Sequence, residues 1–210
     1  MSSLSLRALV QKAVLGFAIL TQAVAIPVEV GSDAHKGLVP LKYTRADGNE
    51  DSIWVHPSFT YGVPVDKRSS WHTYTGNDGR NEYCGESNPT VSWPDDAPYA
   101  GNCQAIRDAI TDHDKVAVKG YWTVSSAEFS AAGKGLVTLA SAGDCIFAIR
   151  LAGDHAPADA YFGANDARFF TDAALKQEKN EKVEAKGTTS CNTGTEGSFL
   201  DTEYAITRAK

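Results

Sequence analysis

The stretch 136–151 constrains the fold most, because it reads as two strands joined by a tight turn. In an extended chain Cys145 and Phe147 fall on one face, while Ile146 falls on the other. A strand that is apolar on both faces is usually central in its sheet. Residues 141–144, Ser-Ala-Gly-Asp, supply turn chemistry between the two strands. We therefore expect a β-hairpin whose second strand is central, with Cys145 placed to fasten a covering element to the sheet.

Residues 1–25 carry the features of a secretory signal peptide in the required order. Two basic residues precede an apolar run at 13–20, which is too short to span a membrane. A small-x-small site, Ala-Val-Ala, ends at Ala25, so Ile26 is the expected mature N-terminus. The alternative is a buried N-terminal helix. We expect a secreted, extracellular protein, because no later run is long or apolar enough for a membrane span.

The chain is acidic, with a formal net charge of −6. Removal of the signal peptide also removes two positive charges, which leaves −8. Nonspecific affinity for nucleic acid comes largely from lysine and arginine neutralising phosphates. We therefore expect no nucleic-acid partner.

Four cysteines in an exported chain most simply form two disulfides, and four cysteines allow three pairings. Cys84, Cys103, Cys145 and Cys191 are separated by 18, 41 and 45 residues, and no C-x-x-C motif is present. No histidines are paired nearby, so the spacing argues against a zinc site. The sequence predicts no metal and no cofactor.

Residues 26–68 differ in character from the chain after them, since they hold four prolines and no cysteine. They end at the dibasic pair Lys67–Arg68. If this pair is a processing site, residues 26–68 are an N-terminal extension that is removed as a pro-segment. If it is an ordinary exposed pair in a linker, the extension stays with the domain at 69–210. Aromatic residues such as Trp54, able to cover one face of that domain, favour retention.

Two segments have the periodicity of helices. In the first, Asn102 is a plausible N-cap for a helix to about His113, with Cys103 and its apolar i+3 and i+7 neighbours on one face. In the second, Asn165 or Asp166 caps a helix that runs to about Lys179. Both are flanked by segments with the alternation of strands.

The predicted strands lie at 71–75, 115–124, 136–140, 145–151, 183–191 and 204–206, with a loop or short turn at 125–135. Gly187 marks a candidate bulge, and the last strand is short. The order predicts an α+β fold, a two-layer sandwich of an antiparallel sheet with two helices on one face. In that arrangement the helix bearing Cys103 lies on the strand that begins at Cys145. This placement favours the disulfide Cys103–Cys145, which leaves Cys84 to pair with Cys191.

Few residues point to catalysis. His72 and Glu82 are an imaginable acid–base pair of a ribonuclease-like enzyme, but such a pair at arbitrary spacing is common. His155 lies in a loop without a defined partner. Trp122, in a strand, is expected in the core, whereas Trp93 lies in a loop rich in proline and aspartate and is the candidate for an exposed binding surface. We predict no catalytic residues.

A series of cysteine motifs carries a family resemblance. The motifs are Tyr-Cys-Gly-Glu-Ser at 83–87, Asn-Cys-Gln-Ala-Ile at 102–106, Gly-Asp-Cys-Ile-Phe at 143–147, the helix after Phe162-Gly163, and Ala-Lys-Gly-Thr-Thr-Ser-Cys at 185–191. The series resembles the fungal secreted effectors described as necrosis-inducing factors, a family founded on an extracellular protein of a leaf-mould fungus. The match covers about residues 82–192.

The resemblance implies a fold similar to that of small fungal killer toxins. It also implies a secreted effector that acts on a host plant or a competing microbe. Our leading hypothesis is thus a non-enzymatic, toxin-like effector that binds an unknown extracellular target of host or competitor and is a candidate inducer of necrosis. The alternatives are a small secreted hydrolase, such as a ribonuclease, and a cell-wall-associated structural protein.

Overall fold

The computed structural model describes residues 35–61, 83–111, 120–153, 158–193 and 198–209. The elements, in chain order, are β1 (Val39–Thr44), β2 (Glu50–Val55), β3 (Thr60–Tyr61), β4 (Thr90–Ser92), α1 (Ala100–Ala109), β5 (Gly120–Val124), α2 (Ser126–Ala132), β6 (Val137–Ala142), β7 (Cys145–Leu151), β8 (Ala160–Gly163), α3 (Ala164–Leu175), β9 (Glu184–Asn192) and β10 (Phe199–Arg208).

Within the described residues, the larger of two sheets has seven strands in the order β1-β2-β6-β7-β10-β9-β4, and all neighbouring strands are antiparallel. The predicted hairpin is confirmed, and its second strand, β7, is the central strand. The first strand, β6, extends to Ala142, two residues beyond the predicted end. A two-residue turn, Gly143–Asp144, joins the strands, and Gly143 adopts the left-handed conformation that such turns need (φ 52°).

Helices α1 and α3 lie on the same face of this sheet, as predicted for two helices of a sandwich. Cys103 of α1 is bonded to Cys145 of β7. The ring of Phe170 in α3 stacks on Tyr204 of β10, with centroids 4.1 Å apart. Tyr204 is the register partner of Ile149, which shares a face with Cys145. The fold is therefore an α+β sandwich with these two helices in one layer.

A smaller sheet of three strands, β3-β5-β8, completes the helical layer. The side chains of Trp122 and Phe162 are fully buried beneath it. The Phe162 ring lies 5.5 Å from Phe147 of the large sheet and 6.2 Å from Phe170 of α3. Trp122 is thus a core residue, as expected, but its strand belongs to this second sheet, which the sequence did not predict.

Both disulfides have the pairing favoured by the sequence. Cys84–Cys191 joins residues 107 apart and Cys103–Cys145 joins residues 42 apart. Cys84 also forms a β-bridge with Cys191, beside strands β9 and β10. One disulfide therefore joins the two layers, and the other fixes the segment that precedes β4.

The predicted helix starts were wrong by two or three residues. Asn102 lies inside α1, whose N-cap is Tyr99, and the Asn102 side chain instead donates to Asp144 Oδ1 at 2.8 Å. Asp144 also accepts from the Tyr99 backbone N–H at 3.1 Å, so a residue of the β6–β7 turn caps α1 from outside. Helix α3 begins after Gly163 and ends at Leu175 rather than near Lys179.

The segment predicted as loop 125–135 contains the helix α2. Ser125 is its N-cap and Glu128 its reciprocal partner, which together form a capping box. The Ser125 Oγ accepts from Glu128 N at 3.3 Å, while Glu128 Oε2 accepts from Ser125 N at 2.8 Å. The helix buries Phe129 in the core. The box explains why this short segment is helical.

Strands β9 and β10 also differ from expectation. Gly187 is not a bulge, because the β9–β10 register runs through it without a break, opposite Tyr204. A Cβ at position 187 would collide with the Tyr204 phenol, so the glycine leaves room for that ring. The last strand has ten residues and is not short.

The strands before residue 62 belong to the same core. β2 pairs with β6, and its Ile53 and Val55 are buried. The Phe59 ring lies 4.8 Å from the ring of Trp122. The predicted signal peptide with Ala25, and the dibasic pair Lys67–Arg68, lie outside the described residues.

Candidate functional site

Trp93 follows β4 at the edge of the large sheet and is 45% exposed. Its indole Nε1 donates to the Gln177 carbonyl at 2.8 Å, and the Lys179 ammonium lies 5.9 Å from the ring centroid. The ring is therefore both exposed and fixed in orientation. An exposed indole whose N–H is already satisfied presents its faces and edge, rather than a free donor, to an approaching molecule.

The loop 93–99 is fastened to the connection between α3 and β9. Lys182 donates to the Ala97 carbonyl at 2.9 Å, and Ala100 N donates to the Glu181 carbonyl at 2.8 Å. Tyr99, at the end of this loop, is 43% exposed. We call Trp93, Tyr99, Gln177 and Lys179 the tryptophan surface. The two segments of this surface are held together by hydrogen bonds from side chains and backbone to main-chain carbonyl groups.

An acid–base array lies at the end of β2. The Nε2 atom of His56 lies 3.0 Å from Glu128 Oε1, and its Nδ1 atom lies 2.8 Å from Ser58 Oγ. Ser58 N also donates to Nδ1 at 3.3 Å, which favours the tautomer with its proton on Nε2. The hydroxyl, imidazole and carboxylate thus stand in the order found in nucleophilic hydrolases.

The carboxylate of this array is held by the α2 capping box. Burial alone would raise the pKa of Glu128, but hydrogen bonds from the Ser125 N–H and hydroxyl, together with the neighbouring His56, lower it below its usual value. The His56 side chain is 13% exposed and that of Glu128 is 41% exposed. The array was missed from the sequence, where the capping box was the one local signal, because His56 and Glu128 are 72 positions apart.

Three tyrosines form a cluster on the smaller sheet. The ring centroids of Tyr83, Tyr121 and Tyr161 are 5.5–6.0 Å apart. Burial, followed by the neighbouring Tyr121, raises the pKa of Tyr83, and burial likewise raises the pKa of Tyr161. The hydroxyls of Tyr83 and Tyr161 therefore stay protonated at neutral pH, which suits packing rather than general base chemistry.

Asp166 ties the first cysteine segment to α3. Its Oδ2 atom accepts from the backbone N–H groups of Tyr83 at 2.9 Å, Cys84 at 3.2 Å and Gly163 at 2.9 Å. A small cleft beside it is flanked by Phe169, which is 48% exposed. The carboxylate is committed to three backbone donors, so its role here is structural.

The other sequence-based candidates are not brought together by the described residues. His72, Glu82 and His155 lie outside them. Within the described ranges no group of three or more His, Cys, Asp or Glu side chains could hold a metal ion. In the same ranges no helix is both long and apolar enough to cross a membrane.

Comparison with known proteins gives one assignment. The sequence matches the family model Hce2, described as pathogen effector and putative necrosis-inducing factor, over residues 83–191. The match spans 109 of the 210 residues and includes all four cysteines. A search of curated proteins gave no match. With more than half of its length inside the match, the chain belongs to the Hce2 family of pathogen effectors.

Proposed function

We propose that the protein is secreted and acts outside the producing cell by binding a molecule of a host or of a competing microbe. Its effector family and its two disulfides support this, since such bonds persist in oxidising extracellular compartments. The proposal includes cleavage of a signal peptide after Ala25. The intact mass of the secreted protein tests it, and a species that keeps residues 1–25 would contradict export by this route.

We also propose that residues 26–68 are retained in the working protein. Support comes from β2, because removal of this segment would expose the β6 edge and take Ile53 and Val55 out of the core. The same mass measurement decides the point. A sole species that begins at Ile26 supports retention, whereas a species that begins at Ser69 and lacks the excised segment refutes it.

The fixed, exposed ring of Trp93 is the observation that carries the binding hypothesis. Binding energy at protein interfaces concentrates in a few residues, among which tryptophan is enriched. A ring held by Gln177 and Lys179 loses little freedom on binding, so less of its contact energy is spent on ordering.

The test is the Trp93→Ala variant in plant-tissue infiltration and in growth inhibition of competing microbes. We expect the concentration needed for half-maximal response to rise at least tenfold, the effect of losing about 1.4 kcal/mol or more of binding. Phe199→Ala is the matched control, because Phe199 is an equally exposed aromatic residue near the opposite end of β9. Equal responses from both variants would refute the tryptophan surface.

A hydrolase is the second candidate function, favoured by the Ser58–His56–Glu128 array. If the protein works by binding alone, His56→Gln and Ser58→Ala should leave the response within a few-fold of wild type. An enzyme that depends on a general base loses about 10²–10⁴-fold when that base is removed. A folded His56→Gln variant with a hundredfold loss would therefore replace the binding model with a catalytic one.

A further inference from the structure

The face of the large sheet opposite α1 and α3 carries a groove that none of the features above uses. Ala205 lies at its floor, between Tyr204 and Ile206, whose side chains are buried under the helices. Alternation along a strand therefore places Ala205 on the opposite, outward face. The groove has a cavity volume of about 270 Å³ and is open to solvent on one side.

Two polar walls stand on either side of Ala205. On β10 it is flanked by Glu203 and Thr207, which lie about 13 Å apart along the strand. Arg150 of β7 is the register partner of Glu203, and Lys186 of β9 is the partner of Ala205 itself. Ala205 is thus a small side chain among polar ones, with Glu203 and Thr207 on either side of it along β10 and Lys186 beside it on β9.

The walls hold their polar groups in place. Arg150 Nη2 lies 2.7 Å from Glu203 Oε1, and its Nη1 donates to the Lys134 carbonyl at 3.3 Å. In the other wall, Thr207 donates to Glu184 Oε1 at 3.1 Å. Each carboxylate keeps a second oxygen, and the guanidinium keeps further N–H groups, for a ligand. The walls offer both donors and acceptors in fixed positions.

The charges of the groove cancel, since two carboxylates face one guanidinium and one ammonium. An anionic polymer would meet a carboxylate in each wall, and a cationic polymer would meet Arg150 and Lys186. A neutral ligand that bears many hydroxyl groups can both donate to the carboxylates and accept from Arg150 and Lys186. The methyl group of Ala205 and the side chain of Leu136 supply apolar contact for the C–H groups of a sugar ring.

We propose that this groove binds a linear, uncharged glycan. The inference goes beyond the effector function above, because the groove shares no residue with the tryptophan surface. Such binding would hold the protein on cell-wall polysaccharide close to its partner. Three linear, uncharged glycans fit this description, namely β-1,4-glucan, β-1,3-glucan and chitin, and they occur in the cell walls of different organisms.

The experiment is calorimetric titration of the secreted protein with cellohexaose, laminarihexaose and chitohexaose. Each oligosaccharide represents one of the three polymers, so the three titrations show which polymer is bound. We expect saturable binding of at least one. Ala205→Leu fills the floor without changing charge and should weaken that binding at least tenfold. Glu203→Gln removes one acceptor and loosens Arg150, and should weaken glycan binding about tenfold or more, as expected for one charged hydrogen bond. Ser52→Leu, an exposed substitution on β2, is the matched control.

Several outcomes would overturn the proposal. The proposal is wrong if none of the three glycans binds, or if Ala205→Leu and Glu203→Gln both bind the glycan as the wild type does. Loss of glycan binding in Trp93→Ala would place the ligand on the tryptophan surface instead. Because tissue response and glycan binding are measured separately, failure of one does not imply failure of the other. Unfolding curves of each variant confirm that the sheet is intact, and Glu203→Gln keeps the test valid if Ala205→Leu does not fold.

Discussion

Asp166 is the side chain whose loss should affect the fold most for its size. One carboxylate oxygen accepts from three backbone N–H groups, those of Tyr83, Cys84 and Gly163, and the side chain is almost fully buried. In Asp166→Ala each N–H loses its acceptor at about 1–2 kcal/mol, so the free energy of unfolding should fall by about 3–6 kcal/mol. Asp166→Asn keeps an amide oxygen and should lose roughly half as much.

Asp172→Ala is the matched control, because Asp172 lies in the same helix but only in half-buried ion pairs with Arg107 and Arg168. It should cost less than about 1 kcal/mol. The assay is guanidinium unfolding with both disulfides intact, followed by circular dichroism. Hydrogen exchange should also accelerate at the Tyr83 and Cys84 amides in Asp166→Ala. A loss no larger than that of the control would refute the structural role given to Asp166.

Three further changes test other parts of the fold. The double variant Cys103→Ala/Cys145→Ala should lower the free energy of unfolding in urea by about 4 kcal/mol, because the bond closes a loop of 42 residues; a loss below about 1 kcal/mol would contradict this. Gly187→Ala should cost about 1–3 kcal/mol in the same assay, since the added methyl group meets the Tyr204 phenol, and a neutral effect would show that the ring moves freely. Burial would raise the pKa of Glu128, yet hydrogen bonds from Ser125 lower it in the folded state. The stability that Glu128 contributes is therefore present above its unfolded pKa and is lost as the pH falls through its folded pKa. Glu128→Gln should flatten the dependence of unfolding free energy on pH below about pH 4, and an unchanged dependence would refute the assignment.

Local alternation made the centre of the fold predictable. The hairpin around Cys145 is apolar on both faces, and a strand of that kind has few places in a sheet other than the centre. Once β7 was central, the apolar face around Cys103 had to lie on it, which also favoured the disulfide pairing. These features depend on near neighbours in sequence and on one strong periodicity.

Features that depend on distant residues were not predictable in the same way. Asn102 has the composition of an N-cap, but Asp144, 42 positions away, caps α1 instead. The length of β10 was underestimated because Thr202 is a fully buried polar residue within it, with its hydroxyl bonded to the Leu200 carbonyl. The helix α2 is different, since its capping box of Ser125 and Glu128 is a local pattern that the sequence itself contains.

The region that defines the family is not the unit that folds. The match at 83–191 ends before β10, yet β10 pairs with both β7 and β9 at the middle of the large sheet. The family match also begins after β2, which supplies Ile53 and Val55 to the core. A fragment limited to the matched residues would therefore expose three strand edges, those of β6, β7 and β9, that are paired in the whole chain. The two proposed surfaces also differ in their position relative to the matched region. Trp93 lies inside the matched region, whereas Ala205, at the floor of the groove, lies on the strand outside it. A property that depends on the groove would then belong to this chain and to relatives that share its last strand, while a property of the tryptophan surface could extend across the family wherever an aromatic residue stands at that position.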